Sequence, residues 1–145
     1  MKLIQIKKKI DLIFLYETRI HPDVDKYLSS PAPQNFEQHL NYMDTNSQRF
    51  RILTDDHKYF GYSQITRIDQ DSCELGFVIA PKYQGKGLGK TLVKLTIEEA
   101  KTQKYKCICL FVKFENIKAI NLYQKLGFRI KTFNANSEHY MELEC

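Results

Sequence analysis

Short stretches in which apolar and polar residues alternate recur along the chain, and this period of two predicts β-strands. The pattern is clearest between Cys73 and Ile79, where Leu75 and Ile79 are expected on one face and Glu74 on the other. The stretch 107–112 is continuously apolar, which is typical of a strand buried on both faces. Further strands are predicted at residues 2–6, 49–54, 59–67, 128–133 and 139–143.

Apolar residues at three- and four-residue spacing predict the helices. The longest helix carries an apolar stripe that includes Leu88, Leu92 and Leu95. The predicted helices cover residues 11–19, 23–28, 36–43, 88–100 and 116–126. The residues expected to cap helix ends are Asp11, Asp23 and Asn116 at starts and Gly127 at the last end.

The order of these elements predicts an α/β protein with a mixed α+β sheet. Strands 73–79 and 107–112 flank the longest helix, so they form a right-handed βαβ unit and run parallel. Residues 55–58 are expected to join two strands as a hairpin. With 145 residues the chain has the size of one domain. We therefore expect a single domain, residues 1–145, with a central mixed six- to seven-stranded sheet and helices on both faces.

Composition narrows the function classes. Charged residues at 27% and hydrophobic residues at 43% are typical of a globular protein. No apolar run approaches the ~20 residues of a membrane span, and the lysine-rich start at residues 1–10 does not match a secretory signal. We therefore expect a cytoplasmic protein that does not bind membranes.

Charge and cysteine spacing exclude two further classes. The net charge is +5, but the lysines are spread along the chain without interleaved stacking aromatics, so we expect no nucleic-acid partner. The four cysteines form no CxxC pair, and no Cys/His set has zinc spacing, so we expect no metal. Cys107 and Cys109 are predicted on one face of a strand as reduced thiols.

The segment between the strand at 73–79 and the longest helix has the properties of a phosphate-binding loop. Glycines let the backbone approach a ligand, and the first N–H groups of a helix have no intrahelical partners. Lys86 and Lys90 add positive charge at the same helix end. Neither common nucleotide motif matches, because Gln84 stands where a P-loop begins with glycine and Lys90 where a dinucleotide fingerprint has its third glycine.

Two motifs instead resemble the GNAT family of N-acetyltransferases. Gln84-Gly85-Lys86-Gly87-Leu88-Gly89 after a proline-ended strand is similar to the family's acyl-CoA pyrophosphate loop, Gln-x-x-Gly-x-Gly. Residues 116–128 are similar to its N-x-x-A-x-x-x-Y-x-x-x-G-F signature. From the residues alone, an ordinary glycine-rich turn and a capped amphipathic helix with Tyr123 as a core aromatic stay open. The resemblance covers about residues 73–133.

The resemblance implies acetyl-CoA as acyl donor, bound by residues 73–133 between two parallel strands that splay apart, with residues 1–70 on the substrate side. It implies that the pantetheine arm pairs with Phe77–Ile79 like an added strand. It also implies a backbone N–H of Ile79 that polarises the thioester carbonyl and a Tyr123 phenol that protonates the CoA thiolate. The implied cofactor-binding residues are Phe77, Val78, Ile79, Gln84, Gly85, Lys86, Gly87, Leu88, Gly89, Lys90, Asn116 and Tyr123.

The general base is less defined. Glu74 falls near the strand glutamate of histone-type family members, but the loop alignment differs by about one residue. The alternatives are that Glu74 is an exposed or paired strand residue, that a base acts through water, or that the substrate arrives as free amine. Members that acetylate ribosomal-protein N-termini have a glutamate five residues before Asn116, where this chain has Phe111, and this departure counts against that branch.

Residues 15–68 are similar to bacterial nucleotide-aminosugar acetyltransferases of flagellin-sugar synthesis. The similarity rests on Arg19-x-His21-Pro22-x-Val24 and on His39-Leu40. It implies Arg19 and His21 as substrate contacts; the alternatives are a surface ion pair for Arg19 and a helix-boundary role for His21.

Together these motifs predict direct acetyl transfer from acetyl-CoA to a primary amine of a small molecule, for example a nucleotide-linked aminosugar, by a monomer or homodimer. The alternatives are a protein N-terminal or lysine acetyltransferase and a non-catalytic CoA-binding module.

Overall fold

A computed structural model describes residues 1–28 and 30–145, and this part of the chain contains five α-helices and seven strands. The helices are α1 (Lys9–Ile20), α2 (Pro22–Asp25), α3 (Phe36–Asn46), α4 (Leu88–Thr102) and α5 (Ile117–Lys125). The strands are β1 (Lys2–Gln5), β2 (Phe50–Thr54), β3 (Tyr59–Arg67), β4 (Ser72–Ile79), β5 (Cys107–Lys113), β6 (Arg129–Phe133) and β7 (Glu138–Glu144). None of the helices in the described residues has both the length and the apolar character that a bilayer crossing requires.

The strands form one mixed sheet in the order β1-β2-β3-β4-β5-β7-β6. This order confirms the predicted mixed α/β fold class, and its seven strands fall within the predicted six to seven. The chain divides into two compact units, residues 1–64 with 77–92 and residues 65–76 with 93–145, and the division falls within β3, β4 and α4. The single-domain organisation stays a prediction.

In the first unit β1, β2 and β3 pair antiparallel in sequence order. The hairpin between β2 and β3 is the one that residues 55–58 predicted, with the Thr54 hydroxyl donating to the Lys58 carbonyl at 2.7 Å. The apolar sides of α1, α2 and α3 share a core with these strands because each contributes a buried side chain to it. The cluster consists of Leu15, Val24, Met43, Phe50, Ile52, Tyr62 and Val78.

In the second unit β4 and β5 run parallel, as the βαβ pattern predicted. Their described pairs are Ser72 with Cys107, Cys73 with Ile108, and Glu74 with Cys109. β5 pairs antiparallel with β7 along its whole length, and β6 pairs antiparallel with β7. The last strand in sequence therefore lies between β5 and β6. All of β6 is exposed, in keeping with its place at the edge of the sheet.

The starts of the first two helices differ from the prediction. α1 begins at Lys9, so Asp11 lies in the first turn instead of at the cap position. The Asp11 carboxylate still accepts the backbone N–H groups of Lys7 and Lys8, each at 2.9 Å. The cap of α2 is His21 and not Asp23, because Pro22 lacks an N–H and is favoured as the first helical residue.

Candidate functional site

The glycine-rich loop lies in the first unit, between the end of β4 and the start of α4. Gly85 and Gly87 have φ of +77° and +78°, which side-chain-bearing residues rarely adopt. A Cβ on either would meet no described heavy atom within 4 Å, so the backbone conformation and not crowding favours glycine. Because α4 begins at Leu88, its first N–H groups lack intrahelical acceptors.

The loop is tied to the end of β4 by a side chain. The Gln84 amide donates to the Ile79 carbonyl at 3.0 Å. The backbone N–H of Ala80 donates to the Phe60 carbonyl at 2.9 Å, which fixes the strand end against β3. The Gln84 side chain therefore holds the loop against the end of β4. The sequence predicted Gln84 only as a ligand-binding residue and did not indicate this structural role.

Gly61 is a residue that sequence reasoning missed. A Cβ there would lie 2.3 Å from the Val78 carbonyl oxygen and 3.0 Å from Ile79 Cα, so β3 and β4 meet too closely for a side chain. The signal was available, since an isolated glycine within a predicted strand marks close backbone approach. Phe77 and Ile79 are half-buried and Val78 is buried.

The Asn116–Phe128 segment lies in the second unit and has the predicted local structure. The Asn116 side chain caps α5 by accepting the Ala119 N–H at 3.4 Å. Gly127 has φ of +103° just beyond the helix, which confirms its role as the terminating glycine. The Tyr123 ring packs edge-on against Phe128, with ring centroids 5.9 Å apart.

The Tyr123 side chain is half-buried, and this burial raises the pKa of its phenol. The hydroxyl is therefore protonated at neutral pH, as a phenol with its ordinary pKa of about 10 already is, and a general acid requires that proton. Glu74, Asn116 and Tyr123 lie in the second unit, whereas Ile79 and the loop lie in the first. Their catalytic and binding roles stay predictions.

Glu74 belongs to a row of polar side chains that crosses three strands of the second unit. It pairs with Cys109 on β5, which pairs in turn with Glu142 on β7. Burial, and to a lesser degree the charge of Glu74, raises the pKa of Cys109 to about 11. The Tyr140 hydroxyl contacts both Cys109 and Glu142, and burial raises the pKa of this phenol.

Sequence reasoning missed Tyr140 and Glu142 because their neighbours come from another strand. The Phe111 ring lies 5.2 Å from the Tyr140 ring, and 40% of Phe111 is exposed. Within the described residues no three His, Cys, Asp or Glu side chains are grouped as metal ligands.

The predicted substrate contacts have protein partners. The Arg19 guanidinium is 3.0 Å from the Asp25 carboxylate and also donates to the Ser30 carbonyl. His21 accepts the Asp23 N–H at 3.1 Å as the cap of α2. These contacts match the helix-boundary and ion-pair alternatives, and the substrate role of both residues stays a prediction. His39 is buried, its Nε2 lies 3.0 Å from the Leu12 carbonyl, and burial lowers its pKa.

Comparisons with known proteins relate the chain to one family. A sequence model of the acetyltransferase (GNAT) family matches residues 12–128. Spermidine N(1)-acetyltransferase of Escherichia coli strain K12 is 34% identical over 100 residues, which are 66% of this chain and 52% of that protein. [Ribosomal protein bS18]-alanine N-acetyltransferase of the same strain is 31% identical over 106 residues, covering 72% of this chain and 65% of that protein. The match thus spans about half the length of the spermidine enzyme.

The fold has solved counterparts. The crystal structure of spermidine N-acetyltransferase from Vibrio cholerae in complex with CoA and spermine superposes with a TM-score of 0.86 at 21% identity, over 99% of this chain and 94% of that one. At this identity the likeness establishes the fold alone. The family match covers most of the chain, from the first helix to the Gly127-Phe128 pair. The chain therefore belongs to the acetyltransferase (GNAT) family.

Proposed function

We propose that this protein is an acetyl-CoA-dependent N-acetyltransferase that moves the acetyl group directly to a primary amine of a small molecule. The observation that carries the proposal is the loop from Gln84 to Lys90, whose two left-handed glycines lead into α4. Family membership supports the same chemistry, since the related proteins reported above are named N-acetyltransferases.

The loop has the groups that a pyrophosphate requires. Backbone N–H groups in the first turn of α4 donate to phosphate oxygens, and the helix dipole favours negative charge there. Lys86 and Lys90 are exposed and add two positive charges. Gly85 and Gly87 leave open space beside the backbone, so the phosphates can approach it closely. Gln84 holds this loop to the end of β4 through the Ile79 carbonyl.

Acetyl transfer needs an electrophile, a departing thiolate and a proton balance. The amine nitrogen forms a bond to the thioester carbonyl carbon while the N–H of Ile79 stabilises the developing oxyanion. The carbon–sulfur bond then breaks, and the sulfur leaves with the electron pair and takes the proton of Tyr123. Burial keeps that phenol protonated until the thiolate forms. The attacking nitrogen loses one proton to a base, so the charges balance.

We assign the base role to Glu74 as a working proposal. Its carboxylate lies on β4 in the row with Cys109 and Glu142, on the half-buried face of the strand. The alternative is that this face holds Glu74 as a paired strand residue while a water relays the proton. A variant with Glu74→Gln separates the two. A base role predicts a lower kcat at neutral pH and loss of the acidic limb of the pH–rate profile, whereas a paired strand residue predicts that this limb is kept.

For the acceptor we propose a linear polyamine such as spermidine. The related enzymes named for spermidine support this class over the nucleotide-linked aminosugar that residues 15–68 suggested. The ribosomal-protein relative supports a peptide acceptor, but Phe111 stands at the position of the glutamate in that branch. An exposed phenylalanine cannot take the proton of a peptide N-terminus.

The experiment is a thiol-release assay with acetyl-CoA and one amine at a time. The amines are spermidine, a nucleotide-linked aminosugar and a peptide with N-terminal alanine, with an amine-free control. We expect release above the control with spermidine, and acetylated spermidine by mass spectrometry. Turnover with the aminosugar or the peptide alone would replace the substrate class. CoA binding without turnover of any amine would favour a non-catalytic CoA-binding module.

A further inference from the structure

Two lysines converge on one aromatic ring just before the glycine-rich loop. The Lys82 Nζ lies 5.1 Å and the Lys86 Nζ 5.9 Å from the centroid of the Tyr83 ring. Both distances are within the range of cation–π attraction. Because the ring attracts both ammonium groups, it brings two positive charges to the same part of the surface.

The Tyr83 ring is itself held in place. It packs edge-on against the Phe60 ring of β3, with centroids 4.7 Å apart. The backbone N–H of Tyr83 donates to the Ala80 carbonyl at 2.9 Å, and Gln84 is bonded to the Ile79 carbonyl. The ring and the chain on both sides of it are therefore fixed, and the two lysines share a rigid support.

The two ammonium groups lack anionic partners among the described residues. Lys82 and Lys86 are both exposed, and neither forms an ion pair with another residue of the part of the chain that the structure describes. Because the two ammonium groups lie 5.1 and 5.9 Å from the same ring centroid, their separation is at most about one Debye length (~8–10 Å at physiological salt), so their repulsion is only partly screened. A multivalent anion that contacts both ammonium groups would be attracted to each of them and would offset their mutual repulsion.

CoA carries one phosphate group that the loop does not account for. The proposed function assigns its pyrophosphate to the N–H groups of the loop and α4. The remaining group is the 3′-phosphate on the ribose, a monoester with a charge of about −1.5 to −2 at neutral pH, as other phosphate monoesters have. Lysine ammonium groups suit such a dianion because they act as point charges that approach from several directions.

We propose that Lys82, Tyr83 and Lys86 form a subsite for the 3′-phosphate of CoA, so that the protein prefers CoA to 3′-dephospho-CoA. This inference rests on the proposed function, because it needs CoA to bind at the adjacent loop. It adds Lys82 and Tyr83 to the ligand-binding residues and gives Lys86 a second phosphate to contact.

The test is calorimetric titration of CoA and of 3′-dephospho-CoA into the wild-type protein and three variants. Lys82→Gln and Lys86→Gln remove one charge each and keep the length of the side chain. Lys94→Gln is the matched control, because Lys94 is an exposed lysine on α4 outside the proposed subsite. We expect the wild type to bind CoA more tightly than 3′-dephospho-CoA. Lys82→Gln should lose up to about fivefold in affinity for CoA, as for one exposed ion pair, and almost none for 3′-dephospho-CoA. Lys86→Gln should lose more affinity for CoA than for 3′-dephospho-CoA, because Lys86 also adds charge at the pyrophosphate. Lys94→Gln should keep the wild-type preference.

The outcomes separate the subsite from the proposed function. Equal wild-type affinities for the two ligands would overturn the subsite and leave CoA binding intact. A loss of affinity for both ligands to the same degree in Lys82→Gln and Lys86→Gln would also overturn it, since the lysines would then act on the pyrophosphate. If neither ligand binds the wild type, both the subsite and the proposed function fail.

Discussion

Three glycines of the first unit lie in different surroundings, and replacing each with alanine separates the close approach of β3 and β4 from backbone strain in the loop. Gly61 has no room for a Cβ, Gly87 has room but a left-handed backbone, and Gly89 has both room and an ordinary φ. Replacing each with alanine adds the same methyl group. The three variants therefore differ only in the space around the new methyl group and in the backbone φ at that position.

The expected order of stability follows from these environments. In Gly61→Ala the new Cβ meets the Val78 carbonyl oxygen at 2.3 Å, and a backbone atom cannot move aside as a side-chain tip does. Overpacking costs about 1–3 kcal/mol, and the rigid neighbour places this variant near the upper end, about 2 kcal/mol after the gain from removing a glycine. Gly87→Ala should cost about 1 kcal/mol for the left-handed conformation. Gly89→Ala should be neutral or gain up to about 1 kcal/mol, because alanine favours the helix.

The measurement is urea unfolding followed by far-ultraviolet circular dichroism, with the free energy of unfolding extrapolated to water for each variant. The m-values should agree, so that the midpoints report stability. If Gly61→Ala unfolds within about 0.5 kcal/mol of wild type, as harmless surface substitutions do, the close approach of Gly61 to Val78 is refuted. If Gly87→Ala costs nothing, the left-handed loop conformation is refuted instead.

Three other predictions concern residues of the first unit. Tyr59 donates a hydrogen bond to the buried carboxylate of Asp11, so Tyr59→Phe should lower the free energy of unfolding by about 1.5–3 kcal/mol at neutral pH. Burial opposes ionisation of Asp11, but the hydrogen bonds that the carboxylate accepts outweigh burial and lower the pKa of Asp11. The same bond between Tyr59 and Asp11 raises the pKa of Tyr59 to about 12. The stabilisation that this bond gives should be lost as pH falls through the lowered pKa of Asp11. It should also be lost as pH rises from about 10 through about 12, where Tyr59 ionises. Unfolding of wild type and Tyr59→Phe, measured across this pH range, checks both losses. Gly87→Asp should abolish measurable CoA binding by calorimetry in a folded protein, since it places a carboxylate beside the phosphates; unchanged affinity would remove the loop from the proposed function. Arg19→Ala should lower the free energy of unfolding by up to about 1 kcal/mol, because its ion pair with Asp25 is lost, and should leave the KM for spermidine unchanged, since a polyamine has no anionic group for a guanidinium to bind; a raised KM for a nucleotide-linked aminosugar would support that acceptor instead.

Local features of the sequence predicted most of the elements because their causes are local. The Asn116 cap and the Gly127 terminus depend on residues within one helix, and both are confirmed. The parallel pair β4–β5 follows from the helix between the two strands, because a helical crossover brings the chain back to enter the next strand in the same direction. The hairpin of β2 and β3 likewise needs only a short connection between two alternating stretches.

Features that depend on distant partners were not predictable in the same way. Asp11 lies within α1 and bonds to Tyr59, which is far away in sequence, so no pattern around Asp11 indicates its role. The position of β7 between β5 and β6 requires non-local pairing, and with it the contacts of Tyr140 and Glu142. For the candidate site, the sequence motifs located the loop and the Tyr123 helix, whereas the bracing of Gln84 on Ile79 came only from the structure.

We propose that the protein transfers acetyl groups to an amine with Tyr123 as the general acid. The most direct measurement compares wild type and Tyr123→Phe at saturating acetyl-CoA and spermidine, with thiol release and acetylated spermidine quantified in the same reaction. The substitution keeps the ring that packs on Phe128 and removes only the hydroxyl, so CoA affinity should be unchanged. We predict one acetylated amine for each thiol released by the wild type, and a kcat lower by about 10²–10⁴-fold in the variant. Thiol release without acetylated amine, or a variant kcat within about threefold of wild type, would contradict the account.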